Sequence, residues 1–98
     1  MAKKIELTES SVQDRFRIYR FWIEKNKSDS YSIKLERLFK QAAKLISEYP
    51  EIGTITNVSP IGVKVVKDFK LFYINLPDTI QIIRIWDTRQ DPQRLKFK

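Results

Sequence analysis

Apolar side chains recur along this chain with two different periods. Lys4-Ile5-Glu6-Leu7 alternates polar and apolar, the mark of a short strand at a sheet edge. From Val12 the spacing turns helical: Val12, Phe16, Tyr19 and Ile23 fall on one face, with Ile18 and Trp22 beside it. Thr8 is placed to cap that helix, and Ser10 with Gln13 offers an alternative at capping-box spacing. Asn26-Lys27-Ser28-Asp29 breaks the pattern, and a second helix is predicted from about Ser28 or Ser30. Its apolar positions Leu35, Leu38, Phe39, Ala42, Leu45, Ile46 and Tyr49 follow a three-then-four spacing. Pro50 ends it, because the residue before a proline is pushed out of helical backbone. Two amphipathic helices across so short a polar link predict an antiparallel hairpin.

Residues 51–60 read as an irregular connection, with Ile52 and Ile55 as anchors. After Gly62 the period is that of strands. Val63-Lys64-Val65-Val66 is the first, and Phe69 to Ile74 the second, across a tight turn at Lys67-Asp68. Asn75-Leu76-Pro77-Asp78 is a turn by composition, and Thr79 to Trp86 is the third strand. Three strands with short turns make an antiparallel meander. The predicted class is α+β: an N-terminal strand, then a helical hairpin packed on one face of a C-terminal three-strand meander. The opposite sheet face is expected to stay open, and the tail from Gln93 to Lys98 to be loosely ordered.

Composition narrows what such a fold can do. The 98 residues give a single domain, 1–98, and 42% hydrophobic content supplies it with a core. There is neither cysteine nor histidine, which removes disulfides, thiolate nucleophiles, imidazole catalysis and the usual zinc sites. Any enzyme chemistry must use Lys, Arg, Tyr, Asp or Glu. No carboxylates stand at metal-ligand spacing, so neither a metal nor another cofactor is expected. No run is long and apolar enough for a membrane span, and the basic start lacks the apolar stretch of a secretory signal. A cytoplasmic protein is the resulting expectation. The formal charge of +7 favours polyanionic or acidic partners, although solvated lysines alone would account for much of it.

The chain resembles the RelE/ParE superfamily of bacterial toxins. The residues that carry the resemblance are Thr8 opening the first helix, the corner Tyr49-Pro50-Glu51-Ile52-Gly53, the segment Lys67-Asp68-Phe69-Lys70-Leu71-Phe72-Tyr73, and the ending Trp86-Asp87-x-Arg89-Gln90-Asp91-Pro92. That ending is similar to one subgroup's terminal signature. The resemblance implies the toxin of a type II toxin–antitoxin pair, associated with growth inhibition and plasmid stabilization, and neutralised by an antitoxin. Against a +7 chain the antitoxin is expected to be acidic. Two modes of action follow from the family: mRNA interferase activity on the ribosome, or poisoning of DNA gyrase without hydrolysis.

Metal-independent RNA cleavage without histidine needs cations to stabilise the phosphate, and a lysine whose pKa neighbouring cations depress can act as base. The resemblance assigns that work to Lys64, Lys70 and Arg89. The C-terminal tyrosine of the ribonuclease members has no match, Leu95 standing at about that place. The plain alternative for Lys64, Lys67 and Lys70 is a solvated strand face. Arg84 interrupts an apolar run, and strict alternation puts it with Ile80, Ile82 and Trp86. There it either pairs with Asp87 or Glu6, or stands on the open face toward a target. Trp86 is expected to pack at the sheet end, Asp87 to orient Arg89 by a charge-assisted bond, and Asp91 to serve the turn before Pro92. Phe21 falls off the main helical face; with Trp22 it is expected to line an antitoxin groove, the plain alternative being one of the exposed apolar residues that every protein carries. Two other readings stand beside these. One is a non-catalytic basic module binding RNA on its open sheet face; the other is an inactive toxin homologue kept as an antitoxin-binding partner.

Overall fold

The computed structural model describes residues 2–56 and 60–89, without the side chain of Ile55. The tail from residue 90, with Asp91, Pro92 and Leu95, and the anchoring role of Ile55 lie outside the described residues. The elements run β1 (Lys4–Leu7), α1 (Glu9–Asn26), α2 (Ser30–Glu48), β2 (Thr54–Ile55), β3 (Ile61–Val66), β4 (Phe69–Asn75) and β5 (Thr79–Asp87). They form an α+β fold in which the helical hairpin lies on one face of a five-stranded sheet of order β1-β5-β4-β3-β2. The expected meander is β3-β4-β5, antiparallel throughout. Residues 51–60 are not wholly irregular, since β2 adds a two-residue edge against β3. β1 closes the opposite edge by pairing parallel to β5, Lys4 beside Thr79 and Leu7 beside Ile82.

Thr8 caps α1. The Ser11 N–H donates to its hydroxyl oxygen at 3.2 Å, satisfying one of the free donors of the first turn. The same hydroxyl donates to the carbonyls of Ile82 and Ile83, so the cap also fastens the helix start to β5. α2 ends at Glu48, as Pro50 requires. At the β3–β4 turn, Lys67 takes φ 55°, a left-handed conformation that lets a two-residue link join tightly paired strands.

The main core packs Leu35, Phe39 and Ile46 of α2 and Ile18 of α1 onto Phe69, Leu71, Tyr73, Ile80, Ile82 and Ile85. The Tyr73 hydroxyl donates to the Pro50 carbonyl at 2.8 Å and accepts from the Gly53 N–H at 3.2 Å, which pins the connection after α2 to the sheet. A side chain at Gly53 would run into the Val63 carbonyl, 2.6 Å from where its Cβ would stand.

Two sequence expectations are corrected. The inward face of α1 is formed by Ser11, Asp14 and Ile18, while Phe16 (55% exposed) and Ile23 (41%) look outward. Apolar spacing alone misplaces this face because two of its residues are polar. The sheet face away from the helices is only partly open: Ile61, Phe72, Ile83 and Trp86 form a buried cluster there, with Val63 and Ile74 against them, while Val65 and Lys70 on the same face stay exposed.

Candidate functional site

The chemistry gathers where β1 stops and β5 continues. β1 accompanies β5 only to Ile82. Beyond that point the register between β4 and β5 slips: Tyr73 faces Ile82, but Phe72 faces Arg84, leaving Ile83 as an extra residue. This bulge reverses the alternation. Arg84 therefore shares the side of Phe72 and Trp86, opposite Ile80 and Ile82, which corrects the face expected from strict alternation. Its counter-ion is also neither of those expected. Glu6 accepts from Gln81 and Asp87 is taken by Arg89, whereas Arg84 is held by Asp14 of α1.

Asp14 replaces the missing neighbour strand. Its side chain, 3% exposed, accepts the Ile85 N–H at 3.0 Å, Arg84 Nε at 2.7 Å and Arg84 Nη2 at 3.0 Å. Arg17 adds a longer contact at 3.3 Å. One carboxylate thus satisfies a strand-edge donor and neutralises a guanidinium that is itself mostly buried. Sequence reasoning missed Asp14. The available signal was twofold: an aspartate in register with Ile18 and Trp22 on a helix, and an arginine inside an apolar strand that needs a counter-charge.

Beside this lock an open cleft of about 440 Å³ runs between α1 and the end of β5. Ile18, Phe21, Trp22 and Trp86 give it apolar walls, and Arg17 and Arg89 stand along it. Arg89 is oriented by Asp87, as expected: Nε donates at 3.0 Å, Nη2 at 2.7 Å and the Arg89 N–H at 2.9 Å. Burial pushes the Asp87 carboxyl up, but the Arg89 side-chain and backbone bonds, with its charge, outweigh that and hold it below the usual carboxylate range. Arg89 is raised in turn, chiefly by the same side-chain bond. Its guanidinium also lies 4.9 Å from the Trp22 ring centroid.

Aromatic contacts extend the cleft toward the helical turn. Trp22 meets Phe21 edge-on at 5.2 Å and Tyr31 at 4.8 Å, and Lys67 sits 5.8 Å from the Tyr31 ring. Lys34, by contact and by charge, lowers the proton affinity of Lys67, with Asp68 opposing. Arg89, Asp87, Trp22 and Phe21 are therefore brought together, with Lys67 at the far end of the ladder.

The remaining candidates are not. Lys70 lies opposite Trp86 on the sheet face away from the helices, while Lys64 lies opposite Leu71 on the face that the helices cover. Two strands carry these lysines to opposite sides of one sheet. Trp86 packs as expected, 7% exposed, and Arg84 lies 5.8 Å from its ring. What this arrangement offers chemically is oriented cations over aromatic surface, suited to binding an acidic, apolar segment. Among the described residues no helix is long and apolar enough to cross a membrane.

Residues 5–92 match the family model described as the ParE toxin of the type II toxin-antitoxin system, parDE. Among solved structures, a chain described as the chromosomal ParDE TA system from P. aeruginosa superposes with a TM-score of 0.77 at 15% identity, covering 90% of this chain and 98% of that one. At that identity the likeness is one of fold. No curated protein matches the sequence significantly.

Proposed function

The chain belongs to the ParE toxin family of type II toxin–antitoxin systems, and on that premise we propose that it arrests growth by binding DNA gyrase rather than by cutting mRNA. The observation that carries this reading is the separation of the lysines. Acid/base cleavage of RNA needs a base, a phosphate clamp and a proton donor within hydrogen-bond reach of one scissile group. Lys64 and Lys70 lie on opposite sheet faces, Arg89 is bound to Asp87 by two side-chain bonds, and the chain has no histidine. No tyrosine follows Tyr73 in the sequence to replace the family's catalytic one. Cations held this way can dock a large partner without performing proton transfer.

The cleft between α1 and β5 is, in the same reading, where the cognate antitoxin binds. Its apolar walls and its two arginines complement a segment that alternates aliphatic and acidic side chains. Phe21, 50% exposed at its edge, supplies a ready anchor contact. One observation favours the ribosomal alternative: Lys34 beside Lys67 lowers that lysine's proton affinity, the direction a lysine base would need.

A single experiment separates these. The chain is expressed without its antitoxin, and supercoiling by gyrase and the integrity of cellular mRNA are followed as growth stops. Arrest with gyrase inhibited and mRNA intact is expected. Ribosome-dependent cleavage of mRNA that depends on Lys67 would replace the proposal with its alternative. Phe21→Glu should remain toxic but escape neutralisation by the antitoxin.

A further inference from the structure

A second cleft, of about 280 Å³, opens between the helical hairpin and the β1 side of the sheet. It shares only Ile85 with the Trp22 cleft. Its walls are apolar: Ile5 and Leu7 of β1, Phe39 and Ala43 of α2, and Ile82 of β5. Charge enters it through Arg15 and Lys40.

Arg15 sets this cleft apart from an ordinary packing gap. Its Nε is shut off from solvent and has no hydrogen-bond partner among the described residues. The Tyr19 hydroxyl, one helical turn on, is equally buried and lies beside the same guanidinium, near enough to interact with it though not in full hydrogen-bonding geometry. Burial pushes that phenol up to about 12, partly offset by the neighbouring guanidinium. Arg15 takes part in none of the ion pairs formed among the described residues. Buried donors are nearly always satisfied, so a guanidinium with a bare Nε and no ion pair lacks an acceptor that the described residues do not supply. An anionic acceptor in the cleft would neutralise that guanidinium, which lines it. Lys40 stands as a second cation, tied among the described residues to Glu36 by an exposed contact at 3.8 Å that yields easily.

We propose that this cleft binds an aliphatic carboxylate, its chain lying among Ile5, Leu7, Phe39 and Ala43 and its carboxylate on the Arg15 guanidinium. Size sets the chain length. At roughly 30 Å³ for each water-sized group, the cleft holds about nine heavy atoms, the length of a medium-chain acid. The ligand would touch β1, α1, α2 and β5 at once and so stabilise the folded chain by mass action. This inference is independent of the toxin's target and of its antitoxin.

The test uses the purified chain, isotopically labelled, with octanoate and octanol as probes of equal chain length. Octanoate should give saturable NMR shifts centred on Ile5, Leu7, Ala43 and Ile82, and bind about tenfold or more tightly than octanol. In Arg15→Gln that preference should vanish while octanol binding persists. Should the variant fail to fold, the comparison of the two probes on the native chain decides alone. Equal affinity of the two probes, no saturable shift at these residues, or shifts centred on Trp22 and Trp86 would overturn the proposal.

Discussion

Removing the Asp14 carboxylate should cost the fold a large part of its stability. Asp14→Ala leaves the Arg84 guanidinium, with 13% of its side chain exposed, without the acceptor that now takes two of its bonds, and strips the Ile85 N–H of its acceptor. Breaking a buried ion pair from one side costs about 3–5 kcal/mol. An orphaned backbone donor costs about 1–3 kcal/mol, overlapping with the first loss because both concern one carboxylate. A net loss of about 4 kcal/mol is a large share of the roughly 5–15 kcal/mol that stabilises a small domain. For a chain of this length that corresponds to a fall in Tm of about 16–32 °C. Asp14→Asn keeps an oxygen for the Ile85 N–H and loses only the charge, so it should cost about half as much. Urea unfolding followed by circular dichroism measures both, and the double variant with Arg84→Met measures the coupling. Since the double variant removes both charges of the pair, it should recover part of the loss. A cost below about 1 kcal/mol for Asp14→Ala, or strictly additive losses in the double variant, would refute the reasoning.

Three further outcomes follow from the geometry. The Asp87 carboxyl, held low by Arg89, is ionised in the folded chain at a pH where its unfolded counterpart is already protonated. Its stabilisation is therefore complete above the unfolded value of about 3.9 and is lost as pH falls through the folded value; carboxyl NMR titration should show that value rising in Arg89→Gln. Tyr73→Phe removes the donor to Pro50 and the acceptor for Gly53, and should lower stability by about 1–3 kcal/mol in urea melts without altering the helices. Because Lys64 and Lys70 lie on opposite faces, Lys64→Ala and Lys70→Ala should not weaken toxicity alike; equal losses in growth-arrest titrations would point to one shared site.

Much of this was legible in the residues. Pro50 and the periodicity of Leu35, Phe39, Ala42 and Ile46 fix α2, and Thr8 announces α1. Asp87 and Arg89 were paired correctly because two residues of backbone leave so little freedom. What escaped depends on contacts distant in sequence. The slip at Ile83 is invisible to a period-two reading, which assumes an unbroken ladder, and it carries Arg84 to the other face. Asp14 escaped because helical periodicity scores apolar residues, and this inward position is a carboxylate matched to a cation 70 residues away. Lys64 and Lys70 looked alike as strand lysines, and only the pairing of Lys64 with Leu71 and of Lys70 with Trp86 separates them.

The sheet order has a consequence for how the molecule comes into being. β5 lies between β1 and β4, yet it is made after every other described element. Until it emerges, β1 has no strand to pair with, the Thr8 cap has no carbonyls to grip, and Asp14 waits for Arg84. The helical hairpin and the β3–β4 and β4–β5 hairpins rest on local contacts, whereas the β1–β5 pairing must close a loop from Lys4 to Thr79. The Trp22 cleft has one wall of α1 and one of β5, so it takes shape only once β5 has been made and has joined the sheet.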